Sequence, residues 1–220
     1  MPQFTTFLFA LVLVSLISFP ASAEWSQDLH FGIPVTDDTD PEYSPKIVED
    51  GYGSFIVTWV GASGQILAQK VDNAGNVLWD SGGILVNESE WALYGYEVVA
   101  DGMGGAIIIF VRPLDSVFEV LATHVDSEGT VDWGDPVNLV PGEEGLSDQY
   151  SATVVPDGSG GAIVAFMDDR DNTVPYVCAQ RISNAGDLLW GDLGSYVCPF
   201  ATTQENPVVV SDGNGGAFVA

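Results

Sequence analysis

The chain has 220 residues, 46% of them apolar, and carries 31 acidic against 5 basic side chains for a net charge of -26. That is enough apolar material to bury a core, so the chain is globular and not a disordered tail. The charge speaks against nucleic acid or an anionic membrane surface as partner, since both require clustered Lys and Arg.

Met1 to Ala23 reads as a secretory signal peptide, with an apolar core from Phe7 to Phe19 and a small-residue exit at Ala21-Ser22-Ala23. The core is about 13 residues, short of the roughly 20 that a spanning helix needs. No later segment is long enough to span, and the expected location is periplasmic, cell-surface or extracellular. Residues 24–40, with Trp25, His30 and Phe31, form a lead-in or capping segment that matches nothing downstream.

From there the chain repeats. Asp-Gly-x-Gly-Gly occurs at Asp101, Asp157 and Asp212, and in altered form at Asp50, where Ser54 replaces the last glycine. A second marker, Gly-x-x-x-Trp, keeps the same period of roughly 50–57 residues, at Trp79, Trp133 and Trp190. The units are 41–90, 91–144, 145–201 and a partial fourth at 202–220. Each glycine tip predicts a hairpin, with the aspartate accepting hydrogen bonds from the turn's own N–H groups.

Within a unit the pattern predicts four short strands. The first precedes the tip, as at Lys46–Glu49. The second is a continuous apolar run, as at Phe55–Trp59, Ala106–Phe110 and Ala162–Phe166, which suggests burial on both faces. The third, Ile66–Val71, Val120–Val125 and Val177–Ile182, mixes polar positions in, and the fourth is expected to carry the tryptophan. No stretch after residue 23 holds a 3.6-residue apolar period, so almost no helix is expected. The predicted fold is all-β: a β-propeller-like array of four-stranded antiparallel blades, incomplete, with three units and a partial fourth. The bare strand at Phe218-Val219-Ala220 suggests that the natural reading frame continues past Ala220.

The pattern Asp-Gly-x-Gly-Gly-Ala, an apolar strand, Ala-Gln-Arg/Lys and Gly-x-x-x-Trp resembles the tandem repeats of exported bacterial propeller-like proteins, which are mostly uncharacterised. It is most complete at Gly160-Gly161-Ala162, Ala179-Gln180-Arg181 and Gly186 to Trp190. The second unit departs with Thr123-His124, the first with Ser54. The departures weaken a shared ligand more than a shared fold.

Chemistry is harder to find. The tryptophans differ in spacing from the Asp-box turn and read as packing residues. Asp168-Asp169-Arg170-Asp171-Asn172 and the tip aspartates supply oxygens that calcium could use, but no Asp-x-Asp-x-Asp-Gly ladder exists and an arginine sits in the densest cluster, which favours a solvated loop with an internal ion pair. Cys178 and Cys198 can pair in an oxidising compartment; the alternative is two buried thiols. His30 and His124 have no nucleophile or metal-ligand spacing around them. Carboxylates are so many that no glycosidase-type pair stands out. Arg112 and Arg170 follow the second strand in successive units, but Gly61 and Ala62 stand there in the first, so they define no ring. No catalytic, cofactor or metal residue is assigned. The expected function is a non-catalytic binding or scaffold module offering loops to a protein or glycan. The alternatives are a secreted propeller enzyme acting on polysaccharide and a structural array on a larger surface protein.

Overall fold

A computed structural model describes residues 34–37, 39–88, 93–115, 117–141, 148–170, 174–198 and 204–220. The signal segment, Trp25, His30, Phe31, Asp171 and Asn172 lie outside the described residues.

The described residues contain strands and no α-helix, so none is long and apolar enough to cross a membrane. Blade 1 is β1 (Tyr43–Glu49), β2 (Ser54–Val60), β3 (Ile66–Asp72) and β4 (Ile84–Asn87). Blade 2 is β5 (Gly95–Ala100), β6 (Ala106–Leu114), β7 (Val117–Val125) and β8 (Val137–Asn138), and blade 3 is β9 (Gln149–Pro156), β10 (Ala162–Asp168), β11 (Tyr176–Ile182) and β12 (Ser195–Tyr196). A fourth sheet pairs β13 (Val209–Ser211) with β14 (Ala217–Val219). Each sheet is an antiparallel meander in sequence order. The first strands of successive sheets lie side by side, β1 on β5, β5 on β9 and β9 on β13, as they must where propeller blades converge on an axis.

The core lies between the blades. In β6, Ala106, Ile108 and Phe110 pack with Ile56, Ile66 and Ala68 of blade 1. The alternating residues Ile107, Ile109 and Val111 pack with Val164 and Phe166 of blade 3. A strand whose side chains alternate between two faces is apolar throughout only when both faces are covered, and blade stacking covers them.

The tryptophans are not in the fourth strands. After β3 the chain turns, makes a single bridge at Val77, breaks at Trp79 and Asp80, and pairs again only at β4. The side chain of Gln69 occupies the break: its Oε1 accepts the N–H groups of Lys70 and Trp79, and its Nε2 donates to the Asp80 carbonyl at 2.8 Å. Gln180 repeats this in blade 3, accepting from Arg181 and Trp190 and donating to Gly191. Blade 2 has Thr123 there, too short to reach, and its buried hydroxyl finds no partner. The break frees Trp79 and Trp133 to leave their own blades. The Trp79 indole N–H donates to the Ser127 carbonyl of blade 2 at 3.2 Å, and that of Trp133 to Asn184 of blade 3 at 2.8 Å.

Candidate functional site

The tip aspartates form the first cluster of titratable groups. Oδ1 of Asp157 accepts from Ser159 and Gly161, and the same pair of bonds recurs at Asp50, Asp101 and Asp212. The other oxygen meets a cation on the third strand of the same blade: Lys70 for Asp50 at 2.9 Å, His124 for Asp101 at 3.0 Å, and Arg181 for Asp157 at 2.8 Å. Lys70 also donates to the Gly104 carbonyl of the next blade. Burial would raise these three carboxyls, but the turn N–H groups and the cations outweigh it and hold them below the ordinary range. With both oxygens engaged and the side chains buried, the cluster of Asp50, Asp101 and Asp157 offers a ligand nothing. It braces the tips.

One of the cations is a histidine. His124 lies between Asp101 and Asp132, the latter at 2.6 Å, and stacks on Trp133. Burial alone would lower its pKa; the two carboxylates outweigh burial and raise it above 6.5. A raised folded pKa means that the imidazolium's stabilisation is fully present below 6.5 and is lost as pH rises through the folded value. The urea midpoint is therefore expected to fall as pH rises above 6.5, and His124→Arg, which installs the blade 3 residue, to flatten that slope. An equally steep slope in the variant would assign the titration elsewhere.

The other residues singled out above divide. Asp168 is wholly buried and paired with Arg170 through Nε at 2.9 Å and through NH2, so the internal ion pair is present but buried, not solvated. Among the described residues no group of three acidic, His or Cys side chains could hold a metal ion. Arg112 faces Glu119 across its own hairpin, far in role from Arg170. Cys178 is buried and Cys198 exposed, and no disulfide joins them. Cys178 sits opposite Tyr196 in the ladder, which puts Cys198 on the diagonal. Diagonal partners lie about 7–8 Å apart, beyond ordinary bridging distance.

The site that sequence reasoning missed lies at the other end of the blades. Aligned on the tips, Tyr43, Tyr94 and Tyr150 occupy one position, seven residues before Asp50, Asp101 and Asp157. Each is followed by a small residue. Ser44, Ser151 and, in the fourth unit, Asn206 have φ of 51°, 52° and 54°, and Gly95 holds that place in blade 2. The pairing of β1 with β2 and of β9 with β10 shifts register there, so a bulge opens the inner strands of blades 1 and 3, while β5 pairs with β6 in regular register. Tyr43 is 56% exposed and Tyr94 68%, whereas Tyr150 is half-buried and packs against Ala165, Met167 and Val177. The buried hydroxyl of Tyr96 donates to the Ser44 carbonyl at 2.6 Å, tying the bulge of blade 1 to blade 2.

Three clefts open along this rim. One of about 440 Å³ lies between Tyr43, the Gly61–Gly64 loop and Tyr96. It shares Ser44 and Gly95 with a second of about 270 Å³ beside Lys46 and Glu97. That one shares Tyr94 and Ser151 with a third of about 580 Å³, bounded by Phe118, Asp148, Tyr150 and Asp169. Burial, then the charges of Asp169, Asp148 and Glu205, raise the Tyr150 phenol, which therefore stays neutral.

No family model matches the chain, and no curated protein matches it. Among solved structures, an endo-arabinase from Bacteroides thetaiotaomicron VPI-5482 is similar, with 14% identity and a TM-score of 0.46 over 80% of this chain and 68% of that one. At that level of likeness, nothing about residues or substrate carries across.

Proposed function

We propose that the chain, like the exported bacterial repeat proteins it resembles, is a secreted, non-catalytic propeller-type module that binds a glycan or protein partner across its tyrosine rim. The observation that carries this is the register: three aromatic side chains at one repeat position, lining three clefts that share residues. Packing does not call for Tyr43 and Tyr94, because a core position would be covered and these two are largely exposed. Exposed tyrosines set in clefts with a few polar groups are what binding surfaces concentrate, and ligand pockets combine aromatic lining with a few placed polar groups.

The test is a glycan array and a displayed peptide library probed with the mature protein, followed by Tyr94→Ala on any binder found. Tyr94→Ala is expected to weaken binding on the order of tenfold or more without moving the melting temperature. Undiminished binding, or a blank on both libraries, overturns the reading. Turnover of a bound polysaccharide would replace it with the enzyme alternative.

A further inference from the structure

The third cleft differs from the other two in ways the repeat does not require. Tyr94 and Phe118 meet edge to face, with ring centroids 4.3 Å apart and planes at 66°, and Tyr150 closes the same cleft. Two carboxylates, Asp148 and Asp169, stand among these rings. Their Oδ1 atoms are oriented by backbone donors, Phe118 N–H at 2.9 Å and Asp148 N–H at 2.6 Å. The place of Phe118 is taken by Gly64 in blade 1 and Pro175 in blade 3, and the place of Asp169 by Ala62 and Pro113. Blade architecture therefore explains neither residue.

Charge identifies what fits. The chain has five Lys and Arg, and all are already paired: Lys46 with Glu97, Lys70 with Asp50, Arg112 with Glu119, Arg170 with Asp168 and Arg181 with Asp157. None is left for Asp148 or Asp169. Three aromatic rings therefore line one cleft together with two carboxylates that no Lys or Arg neutralises. That combination favours a weakly hydrated organic cation, which loses little solvation on entering and gains from the ring quadrupoles. The protein uses the same contact internally, with Lys46 over Tyr96 and Arg170 over Tyr196.

We propose that the cleft between blades 2 and 3 is a binding site for an organic ammonium group, held by the faces of Tyr94, Phe118 and Tyr150 and by the charge of Asp148 and Asp169. This rests on the rim being the binding surface, and it names the ligand feature which that part of the rim recognises. A quaternary ammonium headgroup and the alkylammonium end of a lysine side chain share this chemistry.

The experiment titrates the full mature chain with choline, n-butylammonium and 3,3-dimethylbutan-1-ol, the uncharged isostere of choline, following chemical shifts or heat. Choline or butylammonium is expected to bind at least tenfold more tightly than the isostere, and more weakly as salt is raised. The stronger of the two tells a quaternary headgroup from a primary amine. Tyr94→Ala, at an exposed position, and Asp169→Asn are each expected to weaken binding, while Tyr52→Ala, at the opposite end, leaves it unchanged. Equal binding of the isostere, or no binding of either cation, overturns the proposal. If a glycan or peptide from the libraries still depends on Tyr94 while both cations fail, the rim survives and the cation site falls. If the cations bind at Tyr94 and library binders ignore it, the reverse holds.

Discussion

Asp157→Ala is expected to lower folding stability by about 3–5 kcal/mol, the cost of removing one partner from a buried ion pair. Three contacts fail together. The N–H groups of Ser159 and Gly161 lose the oxygen they reach at 2.7 and 2.9 Å, and Arg181 loses the carboxylate it meets through Nε and NH2. Because the Arg181 side chain keeps 25% of its exposure and can rehydrate in part, the lower end of the range is expected. Asp157→Asn keeps an acceptor for the turn and removes only the charge, so its loss should be smaller, about 1.5–3 kcal/mol. Asp212 is a control within the same chain: it makes the same two turn bonds but has no basic partner, so Asp212→Ala should cost less than Asp157→Ala. The same aspartates govern acid stability. Each has its pKa lowered from 3.8, so each contributes stability that is present above 3.8 and lost as pH falls through the folded value. Urea midpoints for the wild type and both Asp157 variants, taken in steps from neutral pH down past 3.8, measure this. The gap between variants and wild type should narrow progressively as pH falls below 3.8; a gap of constant size would locate the stabilisation in packing and not in the charge.

Trp79→Ala is expected to be as damaging, at about 3–5 kcal/mol, for a different reason. The ring is 9% exposed, belongs to the core between blades 1 and 2, and lies against Gly129 of the neighbouring blade. Removing it leaves a cavity between sheets that the turns on either side prevent from collapsing. Trp79→Phe retains most of the contact and loses the indole bond to Ser127, so about 1 kcal/mol is expected there. The reciprocal change should fail as well: a Cβ at Gly129 would sit 3.0 Å from the Trp79 ring, on a backbone with φ +86°. Chemical denaturation of the three variants checks the order. Limited proteolysis checks the place, since blade 1 should become the first region cleaved in Trp79→Ala. A melting temperature within about 1 °C of the wild type would show that the ring does not join the blades.

This contact also explains why two markers share one period. Read along the chain, Gly-x-x-x-Trp suggests a turn followed by its own aromatic. In space the glycine of one unit receives the tryptophan of the unit before: Gly129 receives Trp79 and Gly186 receives Trp133. The spacing within a unit was legible, but the partnership was not, because nothing in a one-dimensional pattern says which copy an aromatic touches. The tip aspartates behaved similarly. Their bonds to the turn are local and were foreseeable, whereas their ion pairs reach 20 or more residues ahead to Lys70, His124 and Arg181. The tyrosine rim had a signal that alignment on the tips would have exposed. It went unread because Tyr43, Tyr94 and Tyr150 stand where the pattern suggested the approach to a strand.

By itself the sequence determined the repeat, the hairpin tips, the strand order within a blade and the burial of β6 and β10 on both faces; β2, in the first blade, leaves Phe55 and Val57 partly exposed on one face. These follow from preferences that act over a few residues: glycine where φ is positive, an aspartate within reach of its own turn, and apolar side chains that cannot face water on either side of a pleat. Tertiary structure alone decided that the tryptophans leave their own blades, that the cations of the third strands neutralise the tips, and that Tyr94, Phe118, Asp148, Tyr150 and Asp169 surround one cleft. Those residues come from two blades and four chain segments. Only the stacking of the sheets and the bulge at the head of β9 bring them together, and the stacking is set by packing between blades, not by any local preference.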